Sequence, residues 1–249
     1  MNYTRIIARL DIKSNKVVKG INLEGIRKVG DPQELAYKYY IQGIDEIIYM
    51  DVVASLYERN TITKFIKEAA KMIFVPLTVG GGIRSLRDIR QVLKSGADKV
   101  AINTAAIKNP DFIRQASTAI GSQSIIVSIE AKKQANYWEA YYDNGREKSG
   151  LEVISWAKKA EQLGAGELLV TSVDNEGLEN GMDIELLKKI REKVSIPIIF
   201  SGGVGKLEHV LDAIPDSDAI AIASLFHYNK IEVSVLKKLL KDNKIKVRI

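Results

Sequence analysis

Two carboxylates end apolar runs. In "RIIARLDIKS" (residues 5–14) the run breaks at Asp11, and in "SIIVSIEAKK" (124–133) it breaks at Glu130. Two acids in one pocket can divide labour, one donating a proton and one accepting it, when their surroundings set their pKa values apart. Around them lie residues suited to holding anions. "TVGGGIRS" places three glycines after an apolar run, "FSGGVGK" repeats the plan, and "INTAA" and "IASLF" follow two further runs. Glycines let backbone N–H groups close on a phosphate with no Cβ in the way, and a nearby helix start adds partial positive charge. Gly82 with Asn103 and Thr104 makes one candidate cradle, and Gly203 with Ser224 makes the other. Tight strand-to-helix turns need glycine regardless, so one cradle alone says little. Two cradles with an acid pair between them describe a long substrate with a phosphate at each end.

That chemistry needs elements to bring the residues together. Runs of Ile, Val and Leu at 5–11, 46–51, 75–79, 99–102, 124–129, 167–172, 197–200 and 218–222 are mostly continuous rather than alternating, the mark of strands covered on both faces. Helical patterns separate them. Asp31 reads as an N-cap with Pro32 and Glu34 behind it, Asn109-Pro110 repeats the device, Ser149 to Glu152 reads as a capping box, and Ser85 as another N-cap. Eight strand–helix units predict an α/β chain folded as a single (β/α)8 TIM barrel over residues 1–249. An open doubly wound sheet is disfavoured because no G-x-G-x-x-G follows the first strand.

The chain also resembles itself. "DEIIYMDVVAS" (45–55) aligns with "GELLVTSVDNE" (166–176), "VPLTVGGGI" (75–83) with "IPIIFSGGV" (196–204), and "DKVAINTAA" (98–106) with "DAIAIASLF" (218–226). The period of roughly 120 residues fits two duplicated half-barrels, about 1–120 and 121–249, rather than a solenoid. In that register Asp11 and Glu130 are equivalent, on the first and fifth strands, facing each other across the C-terminal mouth where such barrels carry their chemistry. The plainer alternative is that each acid caps its loop or pairs with Lys13 or Lys132, and the symmetric placement favours the functional reading. Long segments follow both acids and read as lids. The first carries Lys19, a candidate lid cation, and the second carries the hairpin signal Asp143-Asn144-Gly145.

Composition narrows the rest. The chain has 249 residues, a formal charge of +6 and no cysteine, which excludes disulfides, thiolate metal sites and a cysteine nucleophile and fits a cytoplasmic setting. No apolar run approaches the roughly 18 residues a membrane span needs, and the first residues lack a signal-peptide core. Lysines and arginines are interleaved with acids, as on solvated helix faces, so no nucleic-acid partner is expected; the positive field instead suits a small phosphorylated substrate. His209 and His227 lack partners at metal spacing, so no metal and no cofactor is expected, and both read as structural. Trp156 and Trp138 read as packing, with Trp138 a possible ligand contact from its lid.

At this point the chain resembles the HisF family, the cyclase subunit of imidazole glycerol phosphate synthase, over essentially its whole length. The matching stretches include "RIIARLDIK", "VVKG", "LTVGGGI", "GADKVAINTAA", "GAGELLVTS", "SGGVGK" and "SLFH". The resemblance implies a barrel that takes ammonia from a glutaminase subunit docked at its N-terminal face, passes it along the axis, and converts the bisphosphate PRFAR to imidazole glycerol phosphate and AICAR in histidine biosynthesis. It implies Asp11 and Glu130 as the catalytic pair, Asp51, Thr171, Glu176 and Gly177 as further substrate-binding residues, and Asp98 as a residue facing the glutaminase. Arg5, Glu46, Lys99 and Glu167 begin strands and match the family's charged ring at the ammonia entrance, where two cations and two anions can neutralise one another. A solvated rim is the plainer reading of such charges. The sister HisA isomerases share the barrel and paired acids but need no gate.

Departures from the family pattern cluster at the mouth. Glu130 stands for an aspartate, Arg9 for a cysteine, Glu176 and Leu178 for an aspartate and a threonine, and Asn144 for a serine. Moving a carboxylate by near 1 Å can cost about a hundredfold in rate, and an arginine beside Asp11 would weaken it as a proton donor. These changes keep three alternatives open: a paralogue supplying ammonia for amidation of a surface sugar, a HisA-like isomerase, and a non-catalytic barrel.

Overall fold

A computed structural model describes residues 3–53 and 62–248. Its strands are β1 (Arg5–Lys13), β2 (Lys16–Ile21), β3 (Glu24–Gly30), β4 (Glu46–Asp51), β5 (Leu77–Gly80), β6 (Lys99–Ile102), β7 (Ile125–Lys133), β8 (Trp138–Tyr142), β9 (Glu147–Glu152), β10 (Glu167–Ser172), β11 (Ile198–Ser201) and β12 (Ala219–Ile222). Eight of them pair in parallel in the cyclic order β1–β4–β5–β6–β7–β10–β11–β12, and β12 closes on β1 through Arg5 opposite Ala219. This is the closed (β/α)8 barrel expected; each barrel strand starts within two residues of its predicted run, and β7 overruns its predicted end by four. Residues 54–55, the end of the first aligned repeat segment, lie outside the described residues.

Strand alternation divides two cores. Ile6, Ala8 and Leu10 face outward into the layer between sheet and helices, whereas Ile7 points into the lumen with Ile48, Ala101, Ile126, Leu169, Ile199, Ala219 and Ala221. The strands therefore read as continuous apolar runs because both faces are covered.

Helix α1 (Pro32–Ile41) starts as expected, with the Asp31 side chain accepting from the N–H groups of Gln33 and Glu34. Ser85 likewise caps the helix Leu86–Lys94 by accepting from Asp88 N–H. Two predicted caps are corrected. Asn109 ends the short helix Thr104–Lys108, and the next helix, Asp111–Ile120, begins after Pro110 with no side-chain cap bond. Ser149 lies within β9, so the capping box does not form; Glu152 is itself the N-cap of the helix Val153–Gln162, accepting from Ile154 and Ser155 N–H.

Both lid segments are β-hairpins, as the Asp143-Asn144-Gly145 signal indicated for the second and as nothing in the sequence indicated for the first. β1 and β7 run past the barrel rim and each continues into an antiparallel pair: Asp11 lies opposite Val18, and Glu130 opposite Tyr141. β2 then pairs with β3 and β8 with β9, and the second hairpin turns at Asp143, Asn144 and Gly145, all with positive φ. Each mouth acid is thus the residue at which a barrel strand becomes the first strand of a flap.

Candidate active site

At the N-terminal end of the lumen, four strand-start residues form a closed ring of ion pairs. Arg5 reaches Glu46 at 2.7 Å and Glu167 at 2.5 Å, and Lys99 reaches Glu46 at 3.3 Å and Glu167 at 3.0 Å. Both glutamates are buried, and burial, outweighed by attraction to Glu167 and then Glu46, leaves the Arg5 guanidinium more strongly protonated than usual. Above the ring the lumen is apolar, with Ala101, Ala219 and Ala221 set among larger Ile and Leu side chains. Asp98 lies at the same end; its carboxylate accepts from Leu77 N–H at 2.8 Å, closing the start of the neighbouring strand. Asp45 and Asp218 do the same for Ile6 and Ile198, so this device has a structural use throughout the floor.

At the opposite end the lumen meets Arg9, which is only 2% exposed. Its Nε donates to Asp11 Oδ1 at 2.9 Å, and its Nη1 crosses the barrel to donate to Thr171 Oγ1 on β10 at 2.7 Å. Burial opposes its charge, but Asp11, Glu176 and Glu130 hold the proton more tightly than in a free arginine. Asp11 therefore pairs with Arg9 rather than with Lys13. Glu130 makes no pair with Lys132; its Oε2 accepts from Gly145 N–H at 2.8 Å. Burial pushes the Glu130 carboxyl up to about 7, with the Gly145 bond and Arg9 pulling the other way and Asp11 adding to the rise. The two acids share one field around one guanidinium, as their placement on opposite strands requires.

Lys19 is buried and paired with Glu176, whose backbone carbonyl also accepts from Asn22 N–H at 2.7 Å. The lid cation of the sequence is therefore a clasp tying the first hairpin to the turn after β10. Gly177 lies in that contact: its φ is 80°, and a Cβ there would sit 2.3 Å from the Gly20 carbonyl oxygen. Trp138 does not reach the mouth; it is buried and its Nε1 donates to Asp183 at 2.8 Å. His227 is buried against Tyr39, with Tyr39 Oη 2.7 Å from its Nδ1, and burial pushes its imidazole down to about 4.

The first cradle opens on a cavity of about 450 Å³ whose wall includes Asp51, Gly82, Asn103, Thr104, Ser128 and Glu130. Gly81 is required here by close approach, since with φ 93° its missing Cβ would lie 2.1 Å from the Asp51 carbonyl oxygen. Lys108, Arg84 and Asn144 also line this cavity and were not singled out as binding residues from the sequence. Lys108 was legible, being four residues beyond Thr104 on one helix and so on the same face. The second cradle is built differently. Ser224 is buried, and Gly203 packs against the Gly181 carbonyl while its own carbonyl accepts from Gly181 N–H at 3.0 Å. The 450 Å³ cavity does not extend to Gly203, Ser224 or Thr171. Among the described residues, no group of three or more His, Asp or Glu side chains is arranged to hold a metal ion, and no helix is long and apolar enough to cross a membrane.

Acids, ring and glycine turns lie on a chain with many relatives. A protein of Thermococcus onnurineus (strain NA1) named imidazole glycerol phosphate synthase subunit HisF is 48% identical over 246 residues, 98% of each chain. Proteins of the same name from Legionella pneumophila and Lactococcus lactis subsp. lactis (strain IL1403) are 55% and 49% identical; the first spans 84% of this chain and 99% of its own length, the second 98% and 96%. The profile of the family described as Histidine biosynthesis protein matches residues 5–232, a span that begins at the first ring residue and ends beyond the last glycine turn and Ser224. On that match, and with a closed barrel beneath it, the chain belongs to the histidine biosynthesis protein family.

Proposed function

We propose that this chain is the cyclase-type subunit of an imidazole glycerol phosphate synthase, using ammonia from a glutaminase partner to convert PRFAR to imidazole glycerol phosphate and AICAR. Near-full-length similarity to proteins of that name supports the reading. The observation that carries it in the molecule is the pairing of Asp11 and Glu130 around one mouth, at the far end of a lumen whose floor is a closed ion ring. Ammonia adding to a carbonyl must lose a proton while the carbonyl oxygen gains one. Glu130, with a carboxyl near neutrality, is suited to accept the first, and Asp11 is the acid for the second, which requires Arg9 to yield its bond in the substrate complex. The seats at Gly82–Thr104 and Gly203–Ser224 hold the two phosphates; Asp51 walls the open cavity at the first, and Thr171, Glu176 and Gly177 stand behind the mouth, where Arg9 and the Lys19 clasp on the first flap hold them. The glutaminase docks on the N-terminal face beside Asp98, so that Arg5, Glu46, Lys99 and Glu167 gate the lumen. The matched positions of the two hairpins, after β1 and β7, support one domain made of half-barrels of about 1–120 and 121–249.

Turnover of PRFAR with ammonium salt at high pH tests this directly. Imidazole glycerol phosphate formation by the wild type, abolished in Asp11→Asn, is the expected result. A wild type that binds PRFAR yet forms no product overturns it.

A further inference from the structure

A carboxylate of the protein already engages one side of the first anion seat, at Thr104. Asp143, at the tip of the β8–β9 hairpin, accepts a hydrogen bond on Oδ1 from Thr104 Oγ1 at 3.0 Å, and its backbone N–H donates back to the same hydroxyl at 3.2 Å. Its Oδ2 lies 3.9 Å from Lys108 Nζ. The other polar side chain of the seat is engaged by the same hairpin: Asn103 Nδ2 donates to the Tyr141 carbonyl at 3.1 Å, while its Oδ1 is buried without a partner. Two residues beyond Asp143, the Gly145 N–H donates to Glu130 Oε2 at 2.8 Å. One short turn therefore holds the seat with one end and the mouth acid with the other.

We propose that Asp143 is a resident stand-in for a phosphoryl group, and that phosphate entering the Gly82–Thr104 seat displaces it and draws Gly145 away from Glu130. This rests on the reading of that turn as a phosphate seat. The Thr104 hydroxyl has one proton to give and cannot serve a carboxylate and a phosphate together, and the two anions repel within the same small space. Lys108, more than half exposed, is held among the described residues only by Asp143 at 3.9 Å and by the Tyr142 ring at 5.0 Å, and a short swing brings it to the stronger anion. A neutral hydroxyl cannot outcompete a carboxylate for these donors, so Asp143 selects for a phosphorylated ligand. It is also a positioning residue. While it is seated, Glu130 keeps a hydrogen bond that favours its charged form; once phosphate displaces it, that bond is gone and the carboxylate is the stronger base, with substrate in place.

The test is a titration of the full-length protein, labelled with ¹⁵N at glycine, with inorganic phosphate. Gly81 and Gly82 report the seat, Gly145 the hairpin, and Gly202 and Gly203 the other turn. In the wild type, the Gly82 and Gly145 resonances are expected to move with one shared dissociation constant, and the Gly145 amide to lose protection from solvent exchange. In Asp143→Asn, which keeps the accepting oxygen and a turn-favouring residue but not the charge, phosphate should bind this seat about tenfold tighter. A Gly145 signal unmoved while Gly82 saturates overturns the proposal but leaves the seat standing, and so does equal affinity in the two proteins. No response at Gly81 or Gly82 in either protein overturns the seat and the proposal together. The wild-type measurement on Gly145 stands without any variant.

Discussion

Burial acts in opposite directions on the charged residues of the mouth, and that fixes what their removal should do. Glu130 is raised by burial from the ordinary 4.5 to about 7. Between those values the folded protein binds a proton the unfolded chain has lost, so stability falls as pH rises through the window and stays lowered above it. Glu130→Gln should therefore match the wild type near pH 4 and exceed it above pH 7, by up to about 3 kcal/mol or roughly 6–12 °C in Tm. Calorimetry across pH reads this, and equal Tm values at pH 8 would refute it. His227 runs the other way: burial lowers it from 6.5 to about 4, so its contribution grows as pH rises between those values. The two slopes oppose one another over the shared window, and Glu130→Gln should uncover the histidine's. Arg9 is a different case, a buried cation neutralised by Asp11. Arg9→Met leaves Asp11 buried and unpaired and should cost about 3–5 kcal/mol in urea unfolding, with much of that recovered in Arg9→Met/Asp11→Asn. A double variant no more stable than the single would show that the guanidinium holds the mouth through Thr171 instead.

The elements that carry these residues were legible to different degrees. Barrel strands announce themselves through their company: a run such as "ELLVTS" or "AIAI" is ambiguous alone, but its short length, its flanking turn residues and its eightfold recurrence between helical patterns mark it as a buried strand. The hairpins show less: the second is marked only by its Asp143-Asn144-Gly145 turn, and in the first β3 is largely exposed and neither β2 nor β3 alternates strongly, while a two-stranded hairpin alone is marginal. What stabilises them is the overrun of β1 and β7, which supplies a third strand, and side-chain clasps from distant turns. The clasp on the first hairpin can be opened selectively. Gly177→Ala would drive a methyl into the Gly20 carbonyl and add a strained positive φ, a local cost of about 1–3 kcal/mol. Amides of residues 16–30 should then exchange faster while those of the barrel strands do not. Uniform acceleration would mean that the hairpin and barrel unfold as one unit.

At the scale of the molecule, the ring and the mouth are the two ends of one lumen, and the proposed passage of ammonia depends on the ring staying neutral. Lys99→Ala leaves two buried glutamates sharing Arg5 alone. With the glutaminase bound, glutamine-driven turnover should fall several-fold relative to turnover driven by added ammonium salt, because the ring no longer conducts from the partner's site. A constant ratio of the two rates would mean that the four charges are only a rim.

Local and periodic features follow from the order of residues alone: eight buried strands, the glycine turns that follow two of them, and the acids at the points where β1 and β7 leave the barrel. Closure of the sheet decided the partners. Arg9 meets Thr171 and Lys19 meets Glu176 across 162 and 157 residues, and Thr104 meets Asp143 across 39. No local pattern encodes such contacts, since they depend on how far the barrel staggers, which side chains its lumen excludes from water, and where two hairpins fold back over its rim. The types of residue at the mouth can be read along the chain. Which of them neutralises, restrains or displaces another is set by desolvation inside the closed cylinder.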